Sequence, residues 1–226
     1  MEGHGLEVRN EAWKPLPKLA LSRETSALLL IDMQQAFTPD RVRAEAERRR
    51  RAGIIEDARY YGERWPAVVD RVRSLQARCR QVGIEVLFLR VQSMTADGRD
   101  RGKGHKNLGI HYPPGSPEAE ILAELSPARD EIVLSKTAAS GFTGTGLHYV
   151  LTNIGISTLI VVGVMTSACV ESTVRDAVDL GYGVLLVQDG CCTWSSQLQD
   201  ATVRVLGASF CRIVTAEEML SQLDNL

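Results

Sequence analysis

Short, continuously apolar runs recur along this chain, each followed by a segment with helical spacing, and that alternation limits the fold more than any other feature. The first run, Ser26 to Asp32, reads SALLLID; Glu85 to Val91, Glu131 to Leu134, Ser157 to Gly163, Gly183 to Asp189 and Cys211 to Thr215 repeat the pattern. Runs this short, without polar alternation, suit parallel strands that helices cover on both faces. Between them, Trp65 to Val82 aligns Val68, Val69, Val72, Leu75 and Cys79 on one helical face and stops at Gly83. Thr145 to Asn153, Val170 to Leu180, Gln197 to Leu206 and Ala216 to Leu223 read as further helices, and Glu118 to Leu125 as a shorter one. Alternating strands and helices require right-handed crossovers that lay helices on both faces of one sheet. The expected fold is a three-layer α/β/α sandwich around a mostly parallel, Rossmann-like sheet of about six strands.

With 226 residues, 44% of them hydrophobic, the chain suits one compact domain over residues 23–226. The preceding stretch, residues 1–22, is polar, holds Pro15 and Pro17, and reads as an arm on the surface or on a partner subunit. A net charge of -2 gives no drive toward nucleic acid or an anionic membrane, so a small molecule is the expected partner. Neither Ala27 to Ile31 nor Leu159 to Val164 approaches the roughly 20 residues that span a bilayer. The N-terminus lacks the apolar stretch of a secretory signal. The 5 cysteines are an odd number, with no CxxC pair among them, which points to a reducing cytoplasmic compartment and away from structural zinc. No GxGxxG or GxxxxGK[ST] motif is present, so no nucleotide cofactor is expected, and the cysteine spacing gives no reason to expect a metal.

Arg41 to Arg51 (RVRAEAERRRR) combines strong helix formers with almost no apolar stripe and reads as a solvated helix or loop. Gln92 to Pro117, rich in Gly, Pro and charge, is too long for a simple connector and reads as an active-site loop.

In a doubly wound sheet ligands bind beyond the carboxyl ends of the strands. Asp32 follows LLLI, Lys136 follows IVLS, and Cys169 lies beyond IVVGVMTSA at the start of a helix. Singly, these residues suit a turn, the surface and the core. An acid, an amine and a thiol at three strand ends of one sheet suit nucleophilic acyl transfer. A helix N-terminus and a neighbouring ammonium would both favour the Cys169 thiolate.

The stretches ALLLIDMQQAF, VLSKTAASGF and VVGVMTSACVESTVRDAVDLGYGVLLVQD, in this order and spacing, resemble the three signature blocks of the isochorismatase-like cysteine hydrolases. The resemblance implies a triad of Asp32, Lys136 and Cys169, a cis peptide between Val164 and Met165, and an oxyanion hole from the amides of Ala168 and Cys169. KTAASGF and CVESTVRDAVDLGY are similar to the blocks of ureidoacrylate, N-carbamoyl and biuret or triuret amidohydrolases. The implied function is cysteine-dependent cleavage of a carbon–nitrogen bond in a small amide or ureido compound, through a thioester, releasing ammonia or amine. Phe37 and Phe142 would either wall the pocket or belong to the core, and Arg99 and Lys103 would either bind a substrate carboxylate or sit exposed. The loop MTADGRDRGKGHK lacks the metal-binding Asp-x-His pattern of nicotinamidases. An isochorismatase-type or nicotinamidase-type hydrolase is the enzymatic alternative, although family members acting on isochorismate tend to have a glycine where Cys169 stands, and a catalytically silent interaction or redox-sensing module is the alternative outside enzymes. His105, His111 and His148 receive no role. The resemblance also implies a homodimer or homotetramer.

Overall fold

The computed structural model describes residues 16, 18–51 and 58–226; most of the expected N-terminal arm, residues 1–15 and 17, lies outside them. The strands are β1 (Ser26–Ile31), β2 (Glu85–Val91), β3 (Ile132–Lys136), β4 (Thr158–Val164), β5 (Gly183–Cys192) and β6 (Arg212–Val214). They form one 6-stranded sheet in the order β3-β2-β1-β4-β5-β6. Every pairing is parallel, where the sequence suggested only mostly parallel.

The helices are α1 (Pro39–Arg51), α2 (Arg59–Val82), α3 (Lys103–Asn107), α4 (Leu147–Asn153), α5 (Glu171–Asp179), α6 (Ser196–Ser209) and α7 (Ala216–Leu223). Side chains of a strand alternate between faces, so β1 feeds two cores. Leu28 and Leu30 pack with Val68, Val72 and Leu75 of α2 and Met219 of α7. Ala27, Leu29 and Ile31 join Leu147 and Leu151 of α4, Val174 of α5 and Leu206 of α6 on the opposite face. All of β1 and β4 is buried, which explains their unbroken apolar sequences. Leu19 and Leu21, the described end of the arm, pack against the α2 side. Among the described residues no helix is long and apolar enough to cross a membrane.

Several boundaries differ from the sequence reading for identifiable reasons. Helix α2 starts at Arg59 rather than Trp65 and carries Pro66 in its interior, because Tyr61 and Trp65, with ring centroids 5.3 Å apart, are both buried and hold the extra turns. Glu118 to Leu125 is not one helix but two 3-10 turns, Pro117–Ala119 and Ala123–Leu125. The chain between them is extended because Ile121 bridges Gln34 and the Leu122 amide donates to the Met33 carbonyl. Residues 166–170 form a π-type turn that leads into α5, so Cys169 sits inside a helical turn. Strand β5 runs on to Cys192, with a register shift opposite Val161 and Gly163.

The order of strands reverses between β1 and β4, which opens a crevice at their carboxyl ends. Gly163 makes the close approach of these two strands possible. Its φ is +124°, and a Cβ there would lie 2.0 Å from the Ile31 carbonyl oxygen, immediately before Asp32. Gly163→Ala is therefore expected to cost about 3 kcal/mol or more, a fall of roughly 6–12 °C in melting temperature by calorimetry. Melting within 2 °C of the parent, on the order of 1 kcal/mol or less, would show that the strands part easily.

Candidate active site

The crevice gathers groups from three strand ends. Asp32 ends β1 with a left-handed φ of 55°, a conformation that Asp tolerates better than most residues. Its amide donates to the Leu89 carbonyl at 2.9 Å. Gln34, fully buried, fixes the segment: its Nε2 donates to the carbonyls of Val91 (3.1 Å) and Glu118 (2.9 Å), and its Oε1 accepts from the Val91 amide at 2.7 Å. Lys136 ends β3, in register with Val91 of the intervening β2. Its four-carbon stem reaches across β2, leaving the side chain wholly buried. Cys169 is held from behind: Thr173 Oγ1 donates to its carbonyl at 2.6 Å and accepts from the Gly141 amide at 3.0 Å.

These placements bring the three side chains together. Lys136 Nζ lies 2.8 Å from Asp32 Oδ2 and donates to Cys169 Sγ at 3.2 Å and to the Ala138 carbonyl at 3.1 Å. The Asp32–Lys136 contact is an ion pair without hydrogen-bond geometry, and both Asp32 oxygens are buried with no hydrogen-bond partner. That leaves the carboxylate open to accept a proton. The peptide between Val164 and Met165 is cis. The Ala168 amide donates to the Met165 carbonyl at 3.0 Å.

Burial dominates the electrostatics. It raises the Asp32 carboxyl above its usual range by more than the adjacent Lys136 lowers it. Burial also works against the Lys136 ammonium, but Asp32 and Cys169 outweigh it and hold the group above its usual value. The Cys169 thiol is pushed up to about 12 by burial, which the neighbouring ammonium only partly offsets. Burial thus opposes the helix terminus and the ammonium that favour a thiolate, and at this depth burial prevails.

Above these groups lies a cavity of about 480 Å³, within the range of small-molecule sites. Cys169, Ala168 and Met165 form part of its floor, and Phe37, Tyr112 and Trp194 line its walls. Phe37 and Tyr112 meet edge to face, with centroids 6.4 Å apart. The other suggested substrate contacts are elsewhere. Phe142 stacks on Tyr182 at 5.6 Å and packs against the α4–α5 core. Arg99 pairs with Asp97 in solvent, and Lys103 is exposed at the start of α3; none of these three lines the cavity.

Residues that sequence reasoning set aside do line it. Arg41, Glu45, Arg48 and Arg49 come from α1, which is a wall of the cavity rather than a merely solvated helix. His105 and His111 come from the long loop and its short helix, and each has one buried, unpartnered ring nitrogen. Burial, aided by Lys136 and Arg101, lowers His105 to about 4, so it is neutral at physiological pH. Nothing in the local sequence distinguishes these histidines; the tertiary course of the loop does. Among the described residues no group of three or more His, Cys, Asp or Glu could hold a metal ion.

Alkylation of Cys169 by iodoacetamide, followed by peptide mass spectrometry, should rise with pH without an inflection between about pH 6 and 9, because burial pushes the thiol well above its usual value. An inflection near neutrality would mean that a thiolate is already present.

The family model described as the isochorismatase domain matches residues 26–218. The ureidoacrylate amidohydrolase RutB of Acinetobacter baylyi is 28% identical over 189 residues, covering 76% of this chain and 73% of that protein. The streptothricin hydrolase of Streptomyces noursei is 34% identical over 168 residues, covering 74% of this chain and 50% of that protein. A crystal structure of a cysteine hydrolase from Pseudomonas syringae superposes with a TM-score of 0.78 at 22% identity, covering 94% of this chain and 98% of that one, a likeness of fold.

Proposed function

This chain belongs to the isochorismatase domain family of hydrolases, and from that premise we propose that it cleaves the carbon–nitrogen bond of a small amide or ureido compound with Cys169 as nucleophile. The observation that carries the proposal is the buried contact of Lys136 with both Asp32 and Cys169, the last of which lines the cavity. Ureidoacrylate, biuret or triuret and N-carbamoyl compounds are the substrate types that fit this chemistry.

Since the resting sulfur is protonated, attack requires a base, and Asp32 is the group free to act as one. As Sγ bonds to the substrate carbonyl carbon, the thiol proton passes to the Asp32 carboxylate. The raised proton affinity of that carboxylate suits the transfer. The tetrahedral oxyanion takes hydrogen bonds from the amides of Cys169 and Ala168, the latter sharing its N–H with the Met165 carbonyl as a three-centre bond. Asp32 then delivers the proton to the departing nitrogen, the carbon–nitrogen bond breaks, and ammonia or amine leaves behind a thioester. Water gives a proton to Asp32 and its oxygen attacks the thioester carbon. The carbon–sulfur bond breaks, Asp32 returns the proton to sulfur, and a carboxylic or carbamic acid departs. Throughout, the Lys136 ammonium holds Asp32 in place and balances the negative charge that moves between carboxylate and sulfur.

An ammonia-release screen over biuret, triuret, ureidoacrylate analogues, N-carbamoyl amines, maleamate and nicotinamide should identify at least one turned-over compound. For that compound, Cys169→Ser and Cys169→Ala should lower kcat/KM on the order of 10³-fold or more. Near-parental turnover by either variant would rule out the mechanism. The sign of the pH effect also follows. The base form of Asp32 is lost as pH falls through a carboxyl value lying above the usual 3.8, so the acid limb of kcat/KM should lie above 3.8. The basic side should stay flat up to the usual lysine value of 10.5, since Lys136 is held above it. An acid limb at or below 3.8 would remove Asp32 from the role of base.

A further inference from the structure

We propose that Arg49 reads a carboxylate carried by the substrate, so that the compound cleaved at Cys169 is an anion. The inference deepens the amidohydrolase reading above and rests on it for the identity of the reaction.

One turn of α1 separates Glu45 from Arg49, and Arg49 Nε donates to Glu45 Oε1 at 2.7 Å. The guanidinium carbon lies 5.3 Å from the centroid of the Trp194 ring. Both residues line the cavity that holds Cys169, and the Arg49 side chain is only 19% exposed. Its Nε edge is therefore fixed and its plane is supported by an indole. Its two terminal nitrogens have no hydrogen-bond acceptor among the described residues. A largely buried guanidinium with an unused pair of parallel donors matches the two oxygens of a carboxylate.

The charges around it point the same way. Glu45 also accepts from Arg48, so one carboxylate stands between two guanidinium groups and leaves this wall positive. Arg41 and Glu118, which face the same cavity, pair with each other and cancel. An anionic substrate would complete the balance that the protein leaves open. A neutral or cationic one would leave donors of Arg49 desolvated without a partner.

Carboxymethylation of Cys169 tests the site without any assumption about the substrate. Iodoacetate and iodoacetamide deliver nearly the same group, displacing iodide at sulfur, but only iodoacetate carries a carboxylate. At pH 8.5, the ratio of iodoacetate to iodoacetamide rates at Cys169, followed by peptide mass spectrometry, should exceed that of N-acetylcysteine by about tenfold, the scale of one hydrogen bond to a charged group. Arg49→Gln should remove most of that excess, and Arg49→Lys, which keeps the charge but loses the planar fork, should retain only part of it. A parental ratio no higher than that of the free thiol would overturn the proposal even if Arg49→Gln failed to fold, and so would an unchanged ratio in a folded Arg49→Gln protein. In turnover assays, Arg49→Gln should raise KM for an N-carbamoyl amino acid far more than for its neutral carboxamide counterpart; equal effects on both would mean a structural role. A ratio that falls in Arg49→Gln, in a protein that releases no ammonia from any ureido or amide compound, would sink the amidohydrolase reading and leave the anion site standing. Turnover with an unchanged ratio would do the reverse.

Discussion

The ion pair of Asp32 and Lys136, fully buried beside a thiol, is the interaction on which the rest of the structure depends. Two charges taken out of water repay their desolvation only when each is close to its partner and further hydrogen bonds are made. Lys136 meets that condition by donating to Ala138 and Cys169. Asp32 meets it only through Lys136, since its oxygens accept no directed hydrogen bond. Removing either member would strand a charge in the core, so the architecture must deliver both to the same place. It does so by ending β1 and β3 at the same edge of the sheet, where Ile31 is in register with Leu89 and Lys136 with Val91 of the intervening β2, and by letting β1 approach β4 over Gly163.

The fold and the cleft floor were legible in sequence because both are written in the most local code available. An unbroken apolar run marks a strand covered on two faces, and the polar residue that ends it marks the sheet edge where ligands bind. Asp32 and Lys136 each follow such a run, and Cys169 comes a short turn beyond another. The cavity walls were not legible. Helix α1 buries only Val42 and Ala46, too narrow a stripe for periodicity to show which way the helix faces. His105 and Tyr112 reach the cavity through a loop whose course is set by long-range contacts, such as the Tyr112 carbonyl accepting from the Ser93 amide. The effect of burial on Cys169 was not legible either: sequence reveals the helix and the lysine but not the depth at which the sulfur lies.

Local structure and chemistry meet again behind the aromatic wall. Tyr61, wholly buried in α2, donates its hydroxyl to the Phe37 carbonyl at 2.5 Å, and Phe37 in turn faces the cavity. The Thr193 hydroxyl at the end of β5 bonds to Ser167 at 2.7 Å, and the next residue is Trp194. The walls are thus tied to the same helices and strands that build the core.

Floor and wall nonetheless differ in how much change they tolerate. Asp32 and Lys136 are fully buried and Cys169 nearly so, and nearly any replacement there disturbs packing or strands a charge. Helix α1 touches the core at two small side chains and turns its other residues outward or into the cavity, so exchanges there cost little stability. The helical face that borders the cavity can therefore be rewritten while the buried contacts beneath it stay as they are.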